Sequence, residues 1–229
     1  MVGYNTKALS SNTWYMLAPQ FEDVANTGSA TIDLLKICDF KGLVAKTYAN
    51  RASASQITVY NPSTQLYTYY YYTSGNGGTG WRANPAAPTT LIVPVGSGVW
   101  LKVGEVEGDA SVTLSGSVNA AESVTVNIGD QGVWSIVSNP YPTALTIGMI
   151  NTTGITAQSY ANRASASQIC VYNPTTQLYS YFYYVNGNGV SVWRSTPAVP
   201  TESTVICEPG AAFWVKSPTS GSITFSLNK

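Results

Sequence analysis

Twenty-five residues, "YANRASASQITVYNPSTQLYTYYYY" from Tyr48 to Tyr72, return as "YANRASASQICVYNPTTQLYSYFYY" from Tyr160 to Tyr184, with 21 positions identical at a constant offset of 112. A block repeated at an offset of about half the 229-residue chain constrains the fold more than any other feature. Whatever environment one copy needs, the chain must build twice. Landmarks outside the block repeat in the same order: "NTWYMLAPQF" matches "GVWSIVSNPY", "GWRANPAAPTTLIVP" matches "VWRSTPAVPTESTVICEP", "GVWLKV" matches "AFWVKS", and "SVTLS" matches "SITFS". Trp14, Trp81 and Trp100 thereby pair with Trp134, Trp193 and Trp214. Two homologous units are expected, residues 1–119 and 120–229, meeting in "SGSVNAAES" near Asn119 to Glu122. Units of about 110 residues are long enough to bury a core of their own.

Between landmarks the chain consists of short runs rich in Val, Ile, Thr, Tyr and Trp, closed by Gly, Pro and Asn, the pattern of strands and turns. "QITVY-NPSTQ-LYTYYYY" is the clearest hairpin, two β-prone runs around Asn-Pro-Ser-Thr. Only "SATIDLLKICDF" has helical spacing, with Leu34, Leu35 and Ile37 or Cys38 on one face and Ser29 or Thr31 as cap. Its counterpart "TALTIGMINTTG" is weaker. The expected fold is all-β: two tandem β-sandwich or barrel-like domains, each with one short helical insertion.

Charged residues make up 10% of the chain, against a usual fraction of about 25%. Eleven basic residues balance eleven acidic ones, and neither half is biased, so a nucleic-acid or anionic-membrane footprint is absent. No apolar run approaches the roughly 18 residues of a membrane-spanning helix, and membrane insertion is not expected. There is no histidine, which excludes Ser-His-Asp and Cys-His arrangements and the commonest general base near neutral pH. No catalytic residues and no cofactor are expected.

Cys38, Cys170 and Cys207 form no CxxC pair, so no metal site is expected from them. Cys38 reads as a small hydrophobe on the helix face. Cys170 replaces Thr58 and Cys207 replaces Val93, so both thiols enter one copy together, which points to a cross-strand disulfide; two buried free thiols are the alternative. Glu105, Glu107 and Asp109 lie close together in "EVEGDAS", as a hard-cation site or a charged turn, and the carboxylate-free "SPTSGS" of the second copy favours the turn. Arg51 and Arg163 sit in the shared "ANRASASQ", either as a bidentate clamp for a carboxylate ligand or as arginines bonded to loop carbonyls.

Aromatic residues carry the functional expectation. On a strand, Tyr67, Tyr69 and Tyr71 share one face, as do Tyr179, Tyr181 and Tyr183, and all six keep the hydroxyl. Position 70/182 on the opposite face tolerates Tyr or Phe. Strand register decides whether the odd-numbered tyrosines are open or lie with Ile57 and Val59 in a core. Trp100 and Trp214 alternate with apolar neighbours and stand beside Lys102 and Lys216, as a contact platform or as a cover over the end of a core.

The order "W…NPYP…I.VYN…Y.YY…W…PG..FWVK" resembles a duplicated module of exported bacterial surface proteins. That resemblance implies a β-fold and export, and it carries no functional residue. The N-terminal "MVGYNTKALS" shows no secretory leader, so an extracellular or cell-surface location is expected with the leader removed and Met1 supplied in its place. The leading expectation is a non-enzymatic structural or adhesive protein acting through Tyr- and Trp-rich surfaces, self-associating or assembling with other surface proteins. The alternative is a lectin-like tandem module that stacks glycan rings on its aromatics, in which paired sites add avidity.

Overall fold

The structure, a computed structural model, describes residues 1–75, 77–85, 89–129, 132–187, 189–197 and 204–226. These residues form an all-β arrangement with short helical turns. In the first half, a six-stranded sheet runs Trp14–Leu17, Val99–Lys102, Gln56–Asn61, Leu66–Gly75 and Lys46–Thr47, with Gly78–Arg82 pairing the far side of Leu66–Gly75. A second sheet centres on the long strand Val106–Val118, which pairs Val2–Ala8 along one edge and Cys38–Leu43 and Phe21–Glu22 along the other. Thr31–Asp33 and Ile92–Pro94 form a small separate ladder.

Residues beyond 122 pair in the same order. Trp134–Ser138, Ala212–Lys216, Gln168–Asn173, Leu178–Gly187 and Gln158–Ser159 make the large sheet, with Val190–Arg194 on the far side. Ser123–Ile128, Gly221–Ser226 and Ile150–Thr153 make the second sheet, and Leu145–Thr146 pairs Val205–Cys207. Asn119 to Glu122 lie between the strands Val106–Val118 and Ser123–Ile128, where the Asn119 side chain accepts from the Ala121 amide and the Tyr141 hydroxyl donates to the Ala121 carbonyl.

The alternation of these strands explains the layering. Ile57, Leu101, Val99 and Leu17 turn inward from the large sheet of the first half and meet Val112, Leu114 and Phe21 from its second sheet. Ile169, Val215 and Phe213 meet Ile223, Phe225 and Ile128 in the same way beyond residue 122. Each such side chain, fully buried, contributes about 1.5–3 kcal/mol. A third cluster draws on both halves: Met16, Ala18 and Trp100 from one, Ile136 and Ala212 from the other, flanked by Trp14, Tyr60, Tyr172 and Trp214.

The expected hairpin is present twice. Asn61 accepts from the Ser63 and Thr64 amides (2.9 and 3.3 Å), Pro62 sets the first turn residue, and Gln65 closes the loop at φ 56°. Asn173 and Gln177 do the same in the second copy. The resulting register places Tyr60 opposite Tyr67, Thr58 opposite Tyr69 and Gln56 opposite Tyr71. Ile57 and Val59 face Tyr70 and Thr68, so the odd-numbered tyrosines do not share the Ile57 face.

The helical expectation needs correcting. "SATIDLLKICDF" keeps a single turn, Leu34–Ile37, capped by the Asp33 side chain, because Thr31–Asp33 is already paired with Ile92–Pro94 and Cys38 begins a strand against Leu114. Cys38 is therefore a strand residue. The counterpart is a short 3-10 turn, Ile147–Met149. A further helical feature lies inside the repeated block, in the kinked 3-10 segments Tyr48–Ser53 and Tyr160–Ser165, which the strand-centred reading missed.

The disulfide expectation also fails. All three cysteines are free and buried. Cys170 lies in the large sheet between Tyr181 and Trp214, whereas Cys207 pairs with Leu145 in a separate ladder and donates its thiol hydrogen to the Ala211 carbonyl at 2.7 Å. Cys207 belongs to the inner core and Cys170 to the opposite, aromatic face, so the sheet separates the two sulfurs. Among the described residues no helix is long and apolar enough to cross a membrane.

Candidate functional site

The two aromatic faces meet each other. Tyr60, at the tip of the first hairpin, packs on Trp214 of the second half with ring centroids 5.2 Å apart, and Tyr172, its repeat equivalent, packs on Trp100 at 4.9 Å. The backbone repeats this reciprocity: the Ala18 amide donates to the Gly210 carbonyl (3.0 Å) and the Ser138 amide to the Gly96 carbonyl (2.7 Å). Equivalent residues of one half thus touch equivalent residues of the other, the pattern of an isologous interface inside a single chain. At its centre Gly98 faces its own repeat equivalent, Ala212; a Cβ on Gly98 would lie 2.3 Å from the Ala212 Cβ. Only one of the two can carry a methyl group.

On either side of this contact lies a recess. The larger, about 500 Å³, is walled by Trp14, Trp100, Tyr67 and Tyr69 of the first half and Tyr172 and Tyr179 of the second, with Gln56, Thr58 and Gln177 as its uncharged polar groups. The smaller, about 280 Å³, is walled by Trp134, Cys170, Tyr181, Tyr179 and Trp214 with Tyr60 and Tyr67 from the first half. Cross-strand pairing sets these walls, since Trp100 sits beside Thr58 and Thr58 beside Tyr69, while Trp214 sits beside Cys170 and Cys170 beside Tyr181. Clefts of about 300–1,000 Å³ lined by aromatics with a few polar groups are the usual form of a ligand site.

Of the tyrosines singled out from sequence, Tyr67, Tyr69, Tyr179 and Tyr181 are each 43–46% exposed and line the recesses. Their rings continue as a stripe, Tyr60–Tyr67–Tyr69–Tyr71, with spacings of 4.9, 6.3 and 6.5 Å. Tyr71 and Tyr183 are half-buried beneath Arg51 and Arg163. Trp100, by contrast, is only 9% exposed and is already engaged by the other half, while Trp214 stays half-open.

Each of the two arginines lies over the tyrosine that opens its turn, Tyr48 or Tyr160, at 4.8 Å, and donates to that residue's carbonyl. That Tyr hydroxyl reaches on to the carbonyl of Ala83 or Ser195. The guanidinium thus ties the 3-10 turn to the tyrosine stripe, the loop-bonded arrangement of the two weighed. Glu105 pairs with Lys46, and Glu107 and Asp109 are exposed at an irregularity in the Val106–Val118 pairing. Among the described residues no group of three Cys, Asp or Glu stands close enough to hold a metal ion.

Sequence reading missed Trp14, Gln56, Thr58, Tyr60, Tyr172 and Gln177 as cleft residues. The period-2 pattern puts Gln56, Thr58 and Tyr60 on the tyrosine face once the turn length is known, so the signal was present but conditional on that length. Nothing in the linear sequence shows that Tyr60 reaches Trp214.

Electrostatically the cleft is neutral. Burial, then the neighbouring Tyr60 and Tyr69, raises the Tyr67 hydroxyl above its ordinary pKa; burial first, and then Cys170, Tyr172, Tyr181 and Tyr67, raises Tyr179. Both remain protonated hydrogen-bonding groups at neutral pH. Burial lifts the Cys170 thiol from 9.0 to about 11 and Cys207 to about 12, and raises Cys38 as well. A thiol held neutral by the fold contributes stability that is fully present below about pH 9 and is lost as pH climbs from there through the folded values. Melting temperature should therefore fall as pH rises from 9 to 11, with less fall in Cys170→Thr, which installs the first repeat's residue. Alkylation at pH 8 should label the thiols in denaturant and spare them in the native protein; rapid labelling of native Cys170 would contradict its placement.

Comparison with protein-family models, with curated proteins and with solved structures yields no match to this chain.

Proposed function

We propose that the chain is a non-enzymatic binding protein of two tandem, homologous β-domains, 1–119 and 120–229, exported to the cell surface and adhering there through a neutral carbohydrate held in the aromatic cleft. The observation that carries this reading is the cleft's lining. Trp and Tyr rings offer flat apolar area to the C–H faces of sugar rings, Gln56, Thr58, Gln177 and the tyrosine hydroxyls offer exchangeable hydrogen bonds, and no charged side chain lines either recess. The tandem arrangement is supported by the matching strand order of the six-stranded sheets in both halves and by two inner clusters, each drawn from one half. Export rests on the resemblance to surface modules and on the low charge.

Affinity electrophoresis through neutral polysaccharides is the direct test. Retardation by at least one of them is expected, and Tyr69→Ala should weaken it roughly 30-fold, the effect of losing a central anchor of about 2 kcal/mol. Its melting temperature should stay where it is, because Tyr69 is exposed. Migration unaffected by every polysaccharide would remove the carbohydrate reading. Self-association is the second reading, favoured by the open tyrosine stripe together with zero net charge, which leaves little long-range repulsion between copies. Light scattering separates the two: a mass that grows with protein concentration and falls on Tyr69→Ala belongs to assembly.

A further inference from the structure

The two recesses are not independent. Tyr67, Tyr179 and Trp214 each line both, so the recesses adjoin and share walls drawn from both halves. Their outer ends are repeat equivalents, Trp14 and Tyr69 at one and Trp134 and Tyr181 at the other. The groove is nevertheless asymmetric. At the wide end the Gln56 amide donates to the Thr58 hydroxyl at 2.7 Å, giving a paired polar group on the wall. At the narrow end the equivalent positions are Gln168, whose amide turns away to the Ala164 carbonyl, and Cys170, a neutral thiol.

We propose that these recesses are two subsites of one groove that takes a single linear, uncharged oligosaccharide, with its more hydroxylated segment at Thr58 and its less polar segment at Cys170. The inference rests on the carbohydrate reading above and adds length, stoichiometry and direction to it. Three observations select the occupant. The absence of charged lining residues selects an uncharged ligand. The paired amide and hydroxyl at one end select a ligand with hydroxyl groups, and the shared tyrosine walls select one long enough to cross between the halves. A compact ligand would occupy the wide recess alone and leave Tyr181 and Trp134 without a role. Linking two subsites in one ligand raises affinity without any new kind of contact, by roughly 100-fold or more when the span matches.

The test is isothermal titration calorimetry of the intact chain with disaccharides and hexasaccharides of the gluco, manno, xylo and chito series. In the series that binds, the hexasaccharide should bind one per chain and roughly 100-fold more tightly than the disaccharide. Tyr69→Ala should weaken both lengths, whereas Tyr181→Ala should weaken the hexasaccharide and leave the disaccharide unchanged; both residues are exposed, and unchanged melting curves confirm folding. Two hexasaccharides per chain, or equal affinity for the two lengths, would overturn the single groove while leaving carbohydrate binding intact. No heat with any of the four series, or heat with a proline-rich peptide in their place, would overturn both.

Discussion

Trp100→Ala is expected to lower the melting temperature by roughly 10 °C, whereas Tyr69→Ala, two strands away on the same face, is expected to leave it within about 2 °C. Trp100 is buried to 9% exposure by Tyr172 and Trp14 and belongs to the cluster with Met16, Ile136 and Ala212 that joins the halves. Truncating a large buried aromatic costs about 3–5 kcal/mol, the transfer free energy of the ring plus the cavity it leaves. Trp214→Ala should cost less, because that ring, although it packs on the equivalent pair Tyr60 and Trp134, is half-exposed. Calorimetry on the three variants checks the order. Equal, small shifts for all three would mean that the contact between the halves contributes little to the stability of the chain.

Gly98→Ala should destabilise that contact by about 2–3 kcal/mol, and Ala212→Gly in the same molecule should recover most of the loss. The new Cβ would stand 2.3 Å from the Ala212 Cβ, 2.8 Å from Ile136 Cγ2 and 3.1 Å from the Leu17 carbonyl oxygen. Separation of the halves relieves the collision most easily, and that separation would also pull Tyr60 from Trp214. Tryptophan emission should therefore shift to the red in the single variant and return in the double. A double variant no better than Gly98→Ala would show that Ile136 or Leu17, and not the Gly98–Ala212 pair, sets the approach. The pair also explains why the two halves cannot be identical here: perfect symmetry would bring either two methyl groups into collision or two glycines into a gap.

Repetition, β-content and the tyrosine stripes could be read from the chain alone. A constant offset with matching landmarks requires matching local structure, and period-2 alternation around Asn-Pro-Ser-Thr requires a hairpin whose odd-numbered tyrosines share a face, because those signals are local and need no partner. The loop-bonded reading of Arg51 and Arg163 was open to the sequence because each donates to a carbonyl three residues away, whereas the 3-10 turns of "YANRAS" were obscure because the Tyr48 and Tyr160 hydroxyls anchor them to Ala83 and Ser195, distant in sequence. The Cys170–Cys207 bond looked reasonable because two thiols entered one repeat together, yet pairing in different ladders places them on opposite faces of a sheet, which the sequence does not encode locally. The cleft itself was decided only by tertiary structure. Which face of each half meets the other depends on the summed fit of Trp100, Tyr172, Trp214, Tyr60 and the Gly98–Ala212 approach, and shape complementarity between two distant surfaces leaves no periodic trace in either strand.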